Sequence, residues 1–241
     1  AMKTTAVKKD GHYLIKGKKL VTSTVDMGDF IIVFAVTDSN KPAREGVTCF
    51  LVEADTPEIS ATGGGEKEGW RAQTIKPLII DFNSCQVPAN NILGKEGHAF
   101  KLGAQWLPAR RIIRGARSVG VAQRLLEICS EYARNWEVLG LVLSEQERIQ
   151  RIIADMATNI QAARLLTHYT ACMFDEGKDV RREVSMLKVY TSELLDRAAD
   201  QTILLHGGPS NIKGVTVERL CRDATTAGYA EEALDLQRAI I

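Results

Sequence analysis

Residues 204–241 read LLHGGPSNIKGVTVERLCRDATTAGYAEEALDLQRAII, and this stretch holds the helix breaks that decide the fold class. An apolar helical pattern ends at His206, because the pair Gly207-Gly208 has low helix propensity and permits a turn. A short amphipathic segment follows and ends at residues 222–223. The small residues 224–228 then indicate a turn before a final helical pattern. The stretch therefore predicts helices joined by short turns.

The same periodicity continues upstream of this stretch. Apolar residues recur every three or four positions in three segments: about 109–136, 144–174 and 180–206. Ser144 and Glu147 form a capping-box pattern at the start of the second segment. Together with the helix expected after Gly228, the long helices and short connections predict an antiparallel four-helix bundle over residues 97–241. The positions expected to face its core include Val121, Leu125, Cys129, Tyr132, Ile149, Ile152, Ile153, Met156, Ile160, Ala163, Val184, Leu187, Leu194, Leu195, Ala198 and Leu205.

Residues 1–96 show a different pattern, in which short β-branched and apolar runs alternate with turn residues. The runs cover residues 12–15, 20–24, 29–37, 47–53 and 74–82. Pro77 lies inside the last run and suggests a sheet edge or a bulge there. Five or six short strands at this spacing predict a small β-barrel or sandwich. The fold class is therefore α+β, with a β-domain over residues 1–96 followed by the helical bundle.

Composition limits the classes of partner. The chain has 31 basic and 30 acidic residues without a block of like charge, so neither nucleic acid nor an anionic membrane is expected. No apolar run is long enough for a transmembrane helix, and no signal peptide is recognised. The five cysteines are widely spaced and lack the spacing of a metal site, which favours buried thiols in a reducing, cytoplasmic compartment.

Two groups of charged residues are candidates for chemistry. Glu231 and Glu232 follow the turn at the start of the last helical pattern. Acidic residues are common in a first helical turn for electrostatic reasons alone, and a role as general base requires that the turn face a pocket. Four arginines, at positions 110, 111, 114 and 117, lie close together. A solvated helix face explains two of them, and the others are candidates for binding a phosphate or carboxylate.

Several stretches together resemble the acyl-CoA dehydrogenases, flavin enzymes that oxidise acyl thioesters. The matching strings, in chain order, are GVTCFLVE (46–53), CQVPANNILG (85–94), Arg111, ADM (154–156), AAR (162–164), LHGG (205–208), VERLCRDA (217–224) and LQR (236–238). Each string alone is of low specificity, but the order and spacing of the strings match the family pattern along the whole chain. The resemblance is therefore specific.

The resemblance implies an architecture and partners. The family has an N-terminal helical domain, a middle β-domain and a C-terminal four-helix bundle, and this chain matches the last two, over residues 1–96 and 97–241. The N-terminal helical domain is expected to be absent from it. The resemblance further implies FAD as cofactor, an acyl-CoA substrate, electron-transfer flavoprotein as partner, and a homodimer or homotetramer.

The resemblance also implies site residues. Counting back from residues 237–238 and forward from residues 222–223 places the family's α-proton-abstracting base at Glu231, and the alternative position of the base in some members, on the first bundle helix, is Arg110 here. Thr22, Ser23, Gly207 and Gly208 correspond to flavin-contacting positions, and Arg111 to a substrate-binding position. No metal ligand is implied.

Departures from the family pattern concentrate at flavin positions. The family's aromatic residue after the second strand is Val21, and its R-x-[TQ]-F-G segment reads WEVLG at residues 136–140. Leu204 replaces a glutamine, and residues 232–233 replace Gly-Thr. Three hypotheses stay open: a flavin-dependent dehydrogenase, a relative with a degraded flavin site that serves as a partner subunit, and a structural or binding domain without redox chemistry.

Overall fold

A computed structural model describes residues 2–23, 28–63, 77–228 and 233–241, and for residues 21–23 it describes the backbone alone. The chain divides into two compact units, residues 1–106 and residues 107–241. The division falls ten residues after the predicted domain boundary at residues 96 and 97, because the first turns of a long helix associate with the first unit.

The first unit is built on one curled six-stranded sheet. Its strands are β1 (Thr5–Lys9), β2 (His12–Ser23), β3 (Phe30–Val36), β4 (Val47–Glu53), β5 (Ile59–Gly63) and β6 (Pro77–Pro88), and a short helix, α1 (Ala43–Gly46), connects β3 to β4. The order across the sheet is β4-β3-β1-β2-β6-β5, and all neighbours are antiparallel except β1 and β3. Among the described strands we see neither closure into a barrel nor a second sheet facing the first.

The alternating pattern of the strands builds the core of this sheet. Tyr13, Ile15, Phe50 and Phe82 are all buried, and the Tyr13 and Phe50 rings meet edge to face at 5.0 Å. The run predicted at residues 12–15 and residues 20–23 of the run predicted at 20–24 belong to a single strand, β2, which is bulged against β6 at two points, and residue 24 lies outside the described residues. Of the run predicted at residues 74–82, residues 74–76 lie outside the described residues, and Pro77 is the first residue of β6, a position that proline tolerates.

The second unit is helical. Its helices are α2 (Ala99–Asn135), which starts in the first unit, α3 (Glu147–Asp175), α4 (Arg181–His206), α5 (Thr216–Ala224) and α6 (Leu234–Arg238). α2 begins ten residues before the predicted start, because the helix tolerates Pro108 in its interior. Of the fourth long helix expected after Gly228, the structure describes only the five-residue α6. Among the described residues, the bundle has three long helices, and α5 and α6 pack on α4.

The predicted core positions are confirmed in the structure. Leu125, Cys129, Ile160 and Leu195 share one buried cluster, and the remaining inward positions are buried or half-buried. At Gly115 an added Cβ would lie 2.9 Å from Leu187 Cγ, so α2 and α4 approach closely at this glycine. The helical periodicity therefore identified the packed faces correctly.

The predicted capping box at the start of α3 is wrong. Ser144 lies in a 3-10 turn, Leu143–Glu145, and Gln146 is the N-cap residue without a side-chain capping bond. Gln150 Nε2 instead donates to the Ser144 carbonyl at 2.9 Å. The extra turn places Ser144 two residues too early to cap the helix.

Candidate active site

The predicted break after α4 is a sharply defined turn. Gly207 has φ +62° and ψ −137°, a conformation that favours glycine, and its N–H donates to the Ile203 carbonyl at 2.9 Å. Ser210 Oγ donates to the Gly207 carbonyl at 2.6 Å and fixes the turn. Gly207 and Gly208 are both exposed, and an added Cβ at either would meet no atom within 4 Å among the described residues. The two glycines therefore leave exposed backbone with open space beside it.

An aromatic cluster supports this turn from within the helical unit. The His206 ring lies 4.2 Å from the Tyr132 ring, which stacks on Trp136 at 5.2 Å. His206 is buried, and its Nδ1–H donates to the Thr202 carbonyl at 2.9 Å. Burial lowers the pKa of His206 below its ordinary value, and the bond to Thr202 partly opposes that shift. Hydrophobic periodicity places Tyr132 on an inward face but does not predict this cluster, although the i,i+4 spacing of Tyr132 and Trp136 is a signal for it.

Trp136 leads into an exposed apolar hairpin. Its strands are β7 (Glu137–Val138) and β8 (Leu141–Val142), and the two-residue turn has positive φ at both Leu139 and Gly140. Leu139 is 99% exposed, and Trp136 and Leu141 are about half exposed. The segment that aligns with R-x-[TQ]-F-G therefore presents apolar side chains and no cation between residues 136 and 142.

The predicted base, Glu231, and its neighbour Glu232 lie outside the described residues. Described residues before and after that segment form hydrogen bonds and an ion pair with α4. Before it, Ser192 Oγ donates to the Ala227 carbonyl at 3.2 Å. After it, Ser185 Oγ lies 3.1 Å from Gln237 Oε1, and Arg238 forms an ion pair with Glu193.

α5, which leads to the turn, is held by its own ion pairs. Arg222 Nε donates to Glu218 Oε1 at 2.7 Å, and this bond lowers the pKa of the Glu218 carboxyl. Asp223 is buried and lies 3.4 Å from Arg219 Nη1. The acidic and basic residues of the VERLCRDA string therefore stabilise the helix that enters the turn.

Arg111, the predicted substrate-binding residue, is buried in α2 with 5% of its surface exposed. It lies four residues before Gly115, on the face of α2 that approaches α4. Arg110 and Arg117 are exposed and Arg114 is half-buried, which matches the expectation that a solvated face accounts for two of the four arginines. Arg111 is therefore the member of the cluster placed inside the helical unit.

The remaining predicted positions, Thr22 and Ser23, end strand β2 and pair in register with Leu78 and Pro77. Their side chains are not described. Across the described residues, no group of His, Cys, Asp and Glu side chains has the arrangement of a metal site. No described helix combines the length and apolarity that crossing a membrane requires.

Comparison with models of known protein families identifies the family of this chain. Residues 100–241 match the model of the acyl-CoA dehydrogenase C-terminal domain, and residues 1–82 match that of the acyl-CoA dehydrogenase middle domain. The chain belongs to the acyl-CoA dehydrogenase family. The resemblance inferred from the short strings is thereby confirmed.

Individual acyl-CoA dehydrogenase relatives agree with this assignment. The chain is 34% identical to an acyl-CoA dehydrogenase of Bacillus subtilis, over 100% of this chain and 63% of that protein. It is 30% identical to a caffeyl-CoA reductase–Etf complex subunit of Acetobacterium woodii, over 100% of this chain and 62% of that protein. The solved butyryl-CoA dehydrogenase of Megasphaera elsdenii superposes with a TM-score of 0.90 at 29% identity and covers 99% of this chain and 62% of its own. The chain thus spans somewhat less than two thirds of these relatives.

Proposed function

We propose that the protein catalyses FAD-dependent α,β-dehydrogenation of an acyl-CoA thioester. The observation that carries the proposal is the match of residues 100–241 to the C-terminal domain of acyl-CoA dehydrogenases, a range that includes Glu231. The names of relatives such as the butyryl-CoA dehydrogenase of Megasphaera elsdenii support acyl-CoA as the substrate class.

Two features of the described residues support the proposal of a flavin at the break after α4. Gly207 and Gly208 leave the backbone open, and the Gly208 N–H donates to no described protein group. These two glycines would hold the flavin through backbone contacts, and Thr22 and Ser23 would add hydroxyls from β2. FAD, when bound, supplies the acceptor for the hydride that leaves the β-carbon.

Glu231 is the proposed base that accepts the α-proton of the thioester. A positioned carboxylate contributes roughly 10²–10⁴-fold to such a proton transfer. Among the described residues that flank Glu231 in the sequence, the Ala227 carbonyl and the Gln237 side chain are both hydrogen-bonded to α4. Arg111 is proposed to orient the substrate through its buried guanidinium.

We also infer an assembly and a redox partner. Family members supply the expectation of a homodimer or homotetramer. The name of the Acetobacterium woodii relative includes Etf, which supports an electron-transfer flavoprotein as the acceptor of the electrons.

The second candidate function is that of a partner subunit with a degraded flavin site. Two observations favour it. Leu204 is 65% exposed where the family pattern has a glutamine, and the hairpin at residues 136–142 offers apolar side chains where the pattern has an arginine. Each lost charge-assisted bond to a phosphate removes about 1.5–3 kcal/mol of binding.

Absorbance of the purified full protein, followed by dye reduction with acyl-CoA substrates of different chain lengths, tests the two functions. Bound flavin and substrate-dependent reduction support the dehydrogenase. Glu231→Gln is expected to abolish turnover while Glu232→Gln, its matched control, retains it. A protein that neither binds added FAD nor reduces dye with any acyl-CoA supports the partner subunit instead.

A further inference from the structure

Lys188 is a lysine in the interior of the helical unit. It lies on α4, and only 4% of its surface is exposed. Lysine side chains are almost never buried to this degree without polar partners, because an ammonium group loses its hydration there. The ammonium carries three N–H donors and no acceptor, so oxygen atoms are required around it. The function of Lys188 therefore depends on which part of the chain supplies those oxygen atoms.

α4 itself supplies few of these acceptors. Its face around Lys188 is polar, with buried hydroxyls at Ser185, Thr191 and Ser192. Thr191 Oγ1 donates to the Leu187 carbonyl at 2.7 Å, and carbonyls in the middle of an α-helix are bonded within the helix. The acceptors for Lys188 are therefore expected mainly from the chain packed on this face.

The chain from the end of α5 to α6 meets this face of α4 at two described points. Ser192 Oγ donates to the Ala227 carbonyl at 3.2 Å, and Ser185 Oγ lies 3.1 Å from Gln237 Oε1. Ser185 and Ser192 are about 10 Å apart along the helix axis, and Lys188 is one turn from each. Lys188 therefore lies between the two points at which this chain is attached to α4.

We propose that Lys188 is a positioning residue for the proposed dehydrogenation. Its ammonium group donates to oxygen atoms of residues 227–237 and holds this stretch of chain on α4, between the contacts of Ser185 and Ser192. The inference rests on the proposed function, since the same stretch includes the proposed base, Glu231. Misplacing a catalytic group by about 1 Å lowers a rate by on the order of 100-fold, so the hold on this chain governs turnover.

Hydrogen exchange followed by mass spectrometry tests the contact in the full protein and requires no enzymatic activity. Lys188→Met removes the charge and keeps a long unbranched side chain. It should speed amide exchange in peptides that cover residues 225–239 by about threefold or more, because a lost contact lowers the free energy of local opening. Thr191→Val is the matched control. Thr191 is also buried on α4, but its hydroxyl is bonded within the helix, so exchange should match wild type.

Dye reduction with acyl-CoA substrates measures the consequence for the reaction. Lys188→Met should lower kcat about tenfold or more and change KM less than about threefold, because the base acts in the transition state. Lys188→Arg keeps the charge and should recover part of the lost kcat, which a role that depends on volume alone would not allow. Thr191→Val should keep the wild-type kcat.

The outcomes separate the role of Lys188 from the proposed function. Exchange that is unchanged in Lys188→Met, or raised equally in α3, overturns the role of Lys188 whatever the activity. A rise in KM alone, or equal kcat in Lys188→Arg and Lys188→Met, also overturns it. A wild-type protein that turns over no acyl-CoA refutes the dehydrogenase instead, and hydrogen exchange then decides by itself whether Lys188 holds the chain. If Lys188→Met fails to fold, Lys188→Gln, which keeps N–H donors without the charge, replaces it in both measurements.

Discussion

Ser185 Oγ lies 3.1 Å from Gln237 Oε1, and this contact joins residues 52 positions apart in the sequence. Both side chains are completely buried. The Ser185 hydroxyl also lies 2.9 Å from the Arg181 carbonyl, so its single hydrogen is shared between two acceptors. The contact ties α6 to α4 immediately after the segment that carries Glu231.

Removing this contact should loosen α6. Gln237→Met keeps the side-chain volume but leaves buried polar groups without a hydrogen-bond partner. It should lower the free energy of unfolding by about 1–3 kcal/mol. Ser185→Ala should cost about 1 kcal/mol, because the Gln237 amide keeps its other contacts. Urea unfolding measures both, and a loss below about 0.3 kcal/mol for both variants would contradict the assigned role.

The turn after α4 should depend on one glycine more than on the other. Gly207→Ala should destabilise the protein by about 1–3 kcal/mol, since its φ of +62° is strained for any residue with a Cβ. Gly208→Ala has equal open space and no positive φ, so it should change stability by less than about 0.5 kcal/mol. Thermal unfolding compares the pair, and equal effects would show that backbone strain is not the cause.

Alanine substitutions at two glycines of α2 should change the stability of the protein in opposite directions. Gly115→Ala places a Cβ 2.9 Å from Leu187 and should cost about 1–3 kcal/mol through overpacking. Gly120→Ala meets no described atom within 4 Å and should stabilise the helix by about 1 kcal/mol. Chemical denaturation measures both changes. A stabilising Gly115→Ala would mean that α2 and α4 are less closely packed.

Restoring an amide beside the glycine break should strengthen flavin binding. Leu204 is 65% exposed, so Leu204→Gln should leave folding intact and add one neutral hydrogen bond. Such a bond corresponds to an affinity gain of about three- to tenfold for FAD, measured by fluorescence titration. Ile212→Gln is the control, because Ile212 is 58% exposed and lies beyond the turn. An equal gain in the control would indicate a nonspecific effect.

His206 should make stability depend on pH. Its folded-state pKa lies below the ordinary value of 6.5, so the unfolded chain binds the proton more readily. The stability that neutral His206 contributes is therefore fully present above about pH 6.5 and is lost as the pH falls through the folded-state pKa. Melting temperatures at about pH 7.5 and pH 5.5 should differ more for wild type than for His206→Gln. An identical difference in the two proteins would exclude His206 as the cause.

Hydrophobic periodicity predicted much of the fold because burial repeats along an element. The inward stripes of α3 and α4, including Ile160 and Leu195, are buried as expected, and the strand at residues 47–53 has the predicted bounds. The capping box failed because an extra 3-10 turn displaced Ser144, and local sequence carries little information about such a turn. The predicted start of α2, at about residue 109, is ten residues too late, because the apolar periodicity was followed only from there and α2 continues through Pro108 back to Ala99.

The sequence by itself determined the family, the change from strands to helices and the register that makes Glu231 the proposed base. These follow from the order and spacing of residues along the chain, which can be read without a structure. The tertiary structure decided the contacts between distant residues, such as Ser185 with Gln237 and His206 with Tyr132. Such contacts arise only when packing brings separate helix faces together, so no spacing in the sequence specifies them.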